Sequence, residues 1–145
     1  MLIHRIADQL ASAAEFRDIE RNLATAQDAT LGIAQSARPL AIAALYARNP
    51  RPCVVVVAGE DAAQRMAQAL ASYVGLDQVE RIPLRCDLPW SDKPSDDAVV
   101  GARCRALARL KAGEPCLAVA SARALLRCVP PVGSDYFMPI SFEIG

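Results

Sequence analysis

Apolar residues recur at helical spacing at the start of the chain. Leu2, Ile6, Leu10, Ala13 and Ala14 are followed by Ile19 and Leu23, with charged residues on the other face. The spacing predicts a helix from Leu2 to about Leu23, an N-terminal helix within residues 1–24. Thr25-Ala-Gln-Asp28 breaks the pattern, and the short apolar run Ala29 to Gly32 reads as a first strand. Leu40 to Ala47 is apolar almost all round, which predicts a buried helix. Asn49-Pro50-Arg51-Pro52 stops it, because a residue before proline avoids helical geometry. Cys53 to Ala58 is a continuous β-branched run, the mark of a strand covered on both faces.

Gly59-Glu60-Asp61 opens the next helix with acidic residues at the positive end of its dipole. Ala63, Met66, Ala67, Leu70, Tyr73 and Val74 form its buried face, and Gly75 ends it. Val79 to Leu84 is a shorter strand candidate, and Arg85 to Ser95 a polar loop. Ser95-Asp96-Asp97 caps a helix with the apolar stripe Val100, Cys104, Leu107 and Ala108, closed by Gly113. Cys116 to Ala120 is another apolar strand. Ser121 caps a short helix, Ala122 to Leu126, ahead of Pro130-Pro131, and Tyr136 to Ile144 reads as extended.

Apolar strands alternating with helices predict a single α/β domain over residues 1–145. Its sheet is mainly parallel, with helices on both faces. Such sheets bind ligands at the carboxyl ends of their strands. Those ends are Gly32 to Arg38, Ala58 to Asp61, Arg85 to Ser95 and Ala120 to Ser121.

The first of these has the layout of a phosphate-binding loop. A working loop, Gly-x-x-x-x-Gly-Lys-Ser/Thr, wraps phosphates in backbone N–H groups, with the lysine on the outer phosphates and the hydroxyl on Mg²⁺. Gly32 keeps the first glycine. Ala37 replaces the second, Arg38 the lysine and Pro39 the hydroxyl residue. Ala37 restricts positive φ, and Pro39 has neither hydroxyl nor N–H. A degenerate phosphate loop and an ordinary strand-to-helix turn both fit these residues, and neither implies a bound cofactor.

Composition narrows the classes of function. Of 145 residues, 53% are hydrophobic, which argues against a disordered chain. Sixteen basic residues balance 16 acidic ones, so no global field draws in nucleic acid or an anionic membrane. Aromatics at 5% argue against a base-stacking platform. No apolar run approaches the ~20 residues of a membrane span. The charged start (His4, Arg5, Asp8, Glu15, Arg17) is unlike a signal peptide. Five widely spaced cysteines (Cys53, Cys86, Cys104, Cys116, Cys128) suggest a reduced, cytoplasmic protein.

Catalytic constellations are weak. His4 alone could serve a nucleophile, and it lies outside every loop at the ligand end. The cysteines lack metal-ligand spacing and read as buried fillers. Asp87, Asp92, Asp96 and Asp97 could attract Mg²⁺, but capping explains the last two. Arg81, Arg85, Arg103, Arg105 and Arg109 could form a basic patch; a solvated helix face is the simpler account. Leu88-Pro89-Trp90 sets the chain's one tryptophan at the ligand end. Trp90 there is either a partner contact or a cover for the core edge.

Taken together, several motifs resemble one family. They are Gly32-Ile-Ala-Gln-Ser-Ala-Arg38 before an Ala/Leu-rich helix, Leu88-Pro89-Trp90, Arg103 with Leu107, and Val119-Ala-Ser-Ala-Arg-Ala-Leu-Leu126 before Pro130-Pro131. Their order resembles the N-terminal region of the bacterial transcription-repair coupling factors (Mfd). That region is itself similar to the first domain of the excision-repair subunit UvrB, domain 1a of a RecA-like fold. Gln35 and Ser91 depart from the usual pattern, where glycine and an acid are common.

The resemblance implies a fragment of a large ATP-driven DNA translocase that acts in transcription-coupled nucleotide excision repair. The motor domains, which use ATP and Mg²⁺, lie far downstream. The UvrB-like module implied here is a non-catalytic scaffold that helps recruit UvrA and restrain the motor. UvrA would dock on the domain that follows, and RNA polymerase and DNA on others. The alternative is a nucleotide-binding domain of an ATP-dependent enzyme whose other parts are missing.

Overall fold

The computed structural model describes residues 30–85 and 96–127, together with 6, 9–10, 12 and 14–25. Helix α1 is Ala14–Thr25. Phe16 on it packs with Ala41 and Ala44 of helix α2, Arg38–Arg48. Arg48 closes the contact with an ion pair to Glu20 at 2.8 Å. The small residues Ala41, Ala43 and Ala44 are buried, so α2 lies close to its neighbours.

Strand β1 (Pro52–Val57) leads into helix α3 (Glu60–Val74). Glu60 and Asp61 occupy the first turn of α3, where the helix dipole favours negative charge. Gly75 ends it with φ of 100°, a conformation that glycine adopts without a Cβ penalty. A 3-10 turn, Leu76–Gln78, delivers strand β2, Val79–Ile82. The expected strand to Leu84 stops at Ile82 because Pro83 has no N–H to continue a ladder. Helix α4 (Asp97–Ala112) is capped by Asp96, whose carboxylate accepts from the Ala98 N–H at 2.9 Å. Gly113 closes it in the left-handed region. Strand β3 (Cys116–Ser121) and the short helix α5 (Ala122–Leu125) follow, with the Ser121 hydroxyl accepting from the Ala124 N–H at 3.1 Å.

The sheet is parallel throughout, in the order β1-β3-β2. Every residue of β3 is buried, as a central strand covered on both faces requires. Leu117 and Val119 point into a core with Ala43 and Tyr46 of α2 and Ala63, Ala67 and Leu70 of α3. Ala118 and Ala120 point the other way, against Ala106, Leu107 and Leu110 of α4. Their small side chains let α4 approach closely. Burying a side chain such as Leu117 or Val119 contributes about 1.5–3 kcal/mol.

Three expectations are corrected. The run Ala29 to Gly32 is not a strand over its described residues, 30–32; Ala29 lies outside the described residues. Ile33 N–H bonds the Leu31 carbonyl at 3.1 Å, and a bond across three residues bends the chain out of an extended ladder. Secondly, among the described residues β1 is an edge strand, not one covered on both faces. Val54 and Val56 are 48% and 52% exposed. They share the face of their partners Ala118 and Ala120, and α4 lies over β2 and β3 on that side. Thirdly, α4 buries Arg103 and Ala106 rather than the stripe Val100, Cys104, Leu107 and Ala108, whose members are half-buried. Tyr136 to Ile144, Pro130-Pro131 and, in the predicted N-terminal helix, residues 1–5, 7–8, 11 and 13 lie outside the described residues.

Candidate functional site

The degenerate loop is exposed and irregular. Gly32 has open space around it, and positive φ among the described residues occurs at Gly75 and Gly113. Gln35–Ala37 forms a 3-10 turn that runs directly into α2. Ala37 N–H bonds the Ala34 carbonyl at 2.9 Å, and Arg38 N–H bonds the Gln35 carbonyl. Pro39 has no N–H. Backbone donors that a phosphate loop would aim at its ligand are therefore occupied at Ala37 and Arg38 and missing at Pro39. The Arg38 side chain is exposed, without a partner among the described residues. No strand leads into this loop from residues 30–34, so it does not emerge from the carboxyl end of the sheet.

A cleft of about 740 Å³ lies between α1, α2 and β1. Tyr46, Cys53, Val55 and Leu117 form part of its floor, and Arg17, Arg48 and Arg51 part of its rim. Cys53 and Leu117 are the second residues of their strands, so the cleft sits toward the amino ends, away from the end where such sheets bind ligands.

The carboxyl end of the sheet holds a polar cluster instead. Glu60, the first residue of α3, accepts from the Ser121 hydroxyl at the end of β3. Its other oxygen accepts from Arg81 Nη2 at 3.3 Å and from the Leu84 N–H at 3.2 Å. Arg81 also bonds Gln64, and its Nε is enclosed without a partner. Beside them lies Arg103, only 5% exposed. Its Nη1 donates to the Pro83 carbonyl at 2.8 Å and the Ala124 carbonyl at 3.3 Å, joining α4 to the residue after β2 and to the short helix α5. Burial, then the neighbouring Arg85, hold its pKa below the usual arginine value.

The basic face of α4 is a set of structural contacts, not the solvated face expected. Glu80 on β2 is 9% exposed and receives Arg105 Nε at 3.1 Å and Arg109 Nη1 at 3.2 Å. Arg109 also bonds the carbonyls of Asp77 at 2.7 Å and Pro115 at 3.1 Å. Burial is the largest single influence on Arg109 and lowers its pKa, but the bond to Glu80, the charges of Cys116 and Glu80 and the bond to Glu114 together outweigh it, and the net shift is upward. Sequence reasoning missed Glu80. The available signal was an acid between Val79 and Arg81 in a short strand that ends on Ile82.

Cys53, Cys104 and Cys116 are free thiols, and burial pushes the Cys116 thiol up, away from reactivity. Among the described residues no group of histidine, cysteine or carboxylate side chains could hold a metal ion. No helix among them is long and apolar enough to cross a membrane. Trp90, His4, Cys86, Cys128, Asp87 and Asp92 lie outside the described residues. The chain matches no protein-family model, no curated protein and no solved structure.

Proposed function

We propose that this chain is a non-catalytic scaffold and interaction module of a cytoplasmic DNA-repair translocase, the UvrB-like N-terminal part of a transcription-repair coupling factor. On this reading the loop Gly32 to Pro39 is a phosphate loop that has lost its chemistry, in a RecA-like domain reduced to scaffolding. The module would help recruit UvrA and restrain the motor. ATP and Mg²⁺ would act in downstream motor domains, and RNA polymerase and DNA would be held by other parts of the full protein. The observation that supports the reading is the state of the loop. The N–H groups of Ala37 and Arg38 are bonded to the chain itself, Pro39 offers none, and no hydroxyl stands where Mg²⁺ would need one.

Two experiments test it. Calorimetry with Mg-ATP should give no saturable heat in the micromolar range; a one-to-one isotherm would favour a nucleotide-binding domain of an ATP-dependent enzyme instead. A pull-down with UvrA should retain a longer fragment, extended through the following domain, and not residues 1–145 alone. Equal retention of both would move the docking surface into this module, and Trp90→Ala would then be the next variant.

A further inference from the structure

The cleft between α1, α2 and β1 joins an apolar floor to a basic rim. Its volume of about 740 Å³ falls inside the roughly 300–1,000 Å³ of small-molecule pockets. Ile42 and Leu45 of α2 and Cys53 and Val55 of β1 line it, and all four are half-buried. The Tyr46 hydroxyl donates to Gln78 Oε1 at 2.7 Å, so Tyr46 offers the cleft its ring and not a free hydroxyl. The side chains of the floor therefore present carbon and one thiol. The rim is different. Arg17 and Arg21 stand one turn apart on α1, with Arg48 at the end of α2 and Arg51 just before β1. Glu20 is the one acid among the described lining residues, and Arg48 already holds it at 2.8 Å. Arg21 is paired with Asp18 at 3.3 Å. Arg17 and Arg51 are exposed and have no partner among the described residues. Four cations against one engaged carboxylate are a local excess, in a chain whose 16 basic and 16 acidic residues balance. A cleft with apolar walls and one sign of charge focuses the field at its mouth.

We propose that this cleft binds an apolar molecule with a single carboxylate head, of the class of medium-chain fatty acids. The hydrocarbon lies on Ile42, Leu45, Val55 and Leu117, and the carboxylate stays at the rim, where Arg17 and Arg51 are free to take it. A guanidinium fork fits the two oxygens of one carboxylate. A neutral lipid leaves that rim unused, and an alkylammonium is repelled by it. A nucleic-acid backbone gains nothing from the apolar floor. The cleft lies toward the amino ends of the strands, apart from the Gly32 to Pro39 loop, so the proposal is independent of the scaffold reading.

The test titrates the chain with decanoate below its micellar concentration, with decanol and decylamine as the neutral and cationic controls. At decanoate about ten times its Kd, the folded-to-unfolded ratio in thermal unfolding should rise about elevenfold. The location is read from alkylation by N-ethylmaleimide, mapped by mass spectrometry. Decanoate should slow the reaction of Cys53, on the cleft floor, and leave that of Cys104, on α4, unchanged. The Arg17→Ser, Arg51→Ser double variant removes two exposed side chains and should fold as wild type does. It should bind decanoate about tenfold more weakly and decanol equally. Arg65→Ser on α3 should bind decanoate as wild type does. The proposal is overturned if decanol or decylamine binds as tightly as decanoate, if the double variant keeps wild-type affinity, or if Cys104 is shielded as strongly as Cys53. It is also overturned if the chain sediments as a dimer that the double variant dissociates, since a second copy would then be the occupant.

Discussion

Arg109 and Glu80 meet at 3.2 Å between helix α4 and strand β2, with side chains 21% and 11% exposed. Arg109→Ala would leave the Glu80 carboxylate largely enclosed, with only Arg105 beside it. Removing one partner of a buried pair costs about 3–5 kcal/mol, and partial exposure reduces that here to about 2–3 kcal/mol. Arg105, 64% exposed, should cost less than about 1 kcal/mol when replaced by alanine. Urea unfolding of the two variants measures both. Equal costs would show that the two arginines share the carboxylate evenly.

Alkaline pH should destabilise the fold through Cys116 and Tyr46. Burial raises the Cys116 pKa above 9.0 and the Tyr46 pKa above 10.0. In each case the unfolded chain loses its proton first. Above pH 9.0 the native state therefore holds more protons than the unfolded one, and stability falls as pH rises. The decline should begin near pH 9.0 with Cys116 and steepen near 10.0 with Tyr46. Cys116→Ala should flatten the first part of a stability–pH curve. A slope unchanged by that substitution would assign the decline to other groups.

Glycine substitutions should divide by sign. At Gly75, φ is 100° and an added Cβ would lie 2.7 Å from Asp77 Oδ1, so Gly75→Ala should cost about 1–2 kcal/mol. Gly101 sits inside α4 with open space around it, so Gly101→Ala should stabilise by about 0.5–1 kcal/mol. Denaturation midpoints distinguish the two. A stabilising Gly75→Ala would mean that the turn after α3 relaxes at little cost.

Two valines on neighbouring strands should differ in how much they cost. Val119 at the centre of β3 is fully buried, and Val119→Ala should cost about 2–3 kcal/mol. Val56 on the edge strand, 52% exposed, should cost less than about 1 kcal/mol. A large loss at Val56 would show that something covers that face in solution.

Local chemistry was enough for much of this molecule. The β-branched run after Pro52, the apolar run after Cys116, the acidic start of α3, the Asp96 cap and the stops at Gly75 and Gly113 depend on residues within one turn or strand of each other. So does the parallel α/β reading, since unbroken apolar strands between helices need cover on two faces. Other features depended on which strand became the neighbour of which. With β3 in the middle, Val54 and Val56 stand at an edge although their run looks as apolar as that of β3. Residues 30–32 do not join the sheet, because Leu31 is their one large apolar side chain and carries too little area to hold a place there. Arg103 and Glu80 escaped a reading by periodicity for another reason. Hydropathy counts both as outward-facing, yet each is buried by partners far along the chain: the carbonyls of Pro83 and Ala124 for Arg103, and the guanidinium groups of Arg105 and Arg109 for Glu80. A polar side chain's place inside a fold is set by partners that only the folded chain brings within reach.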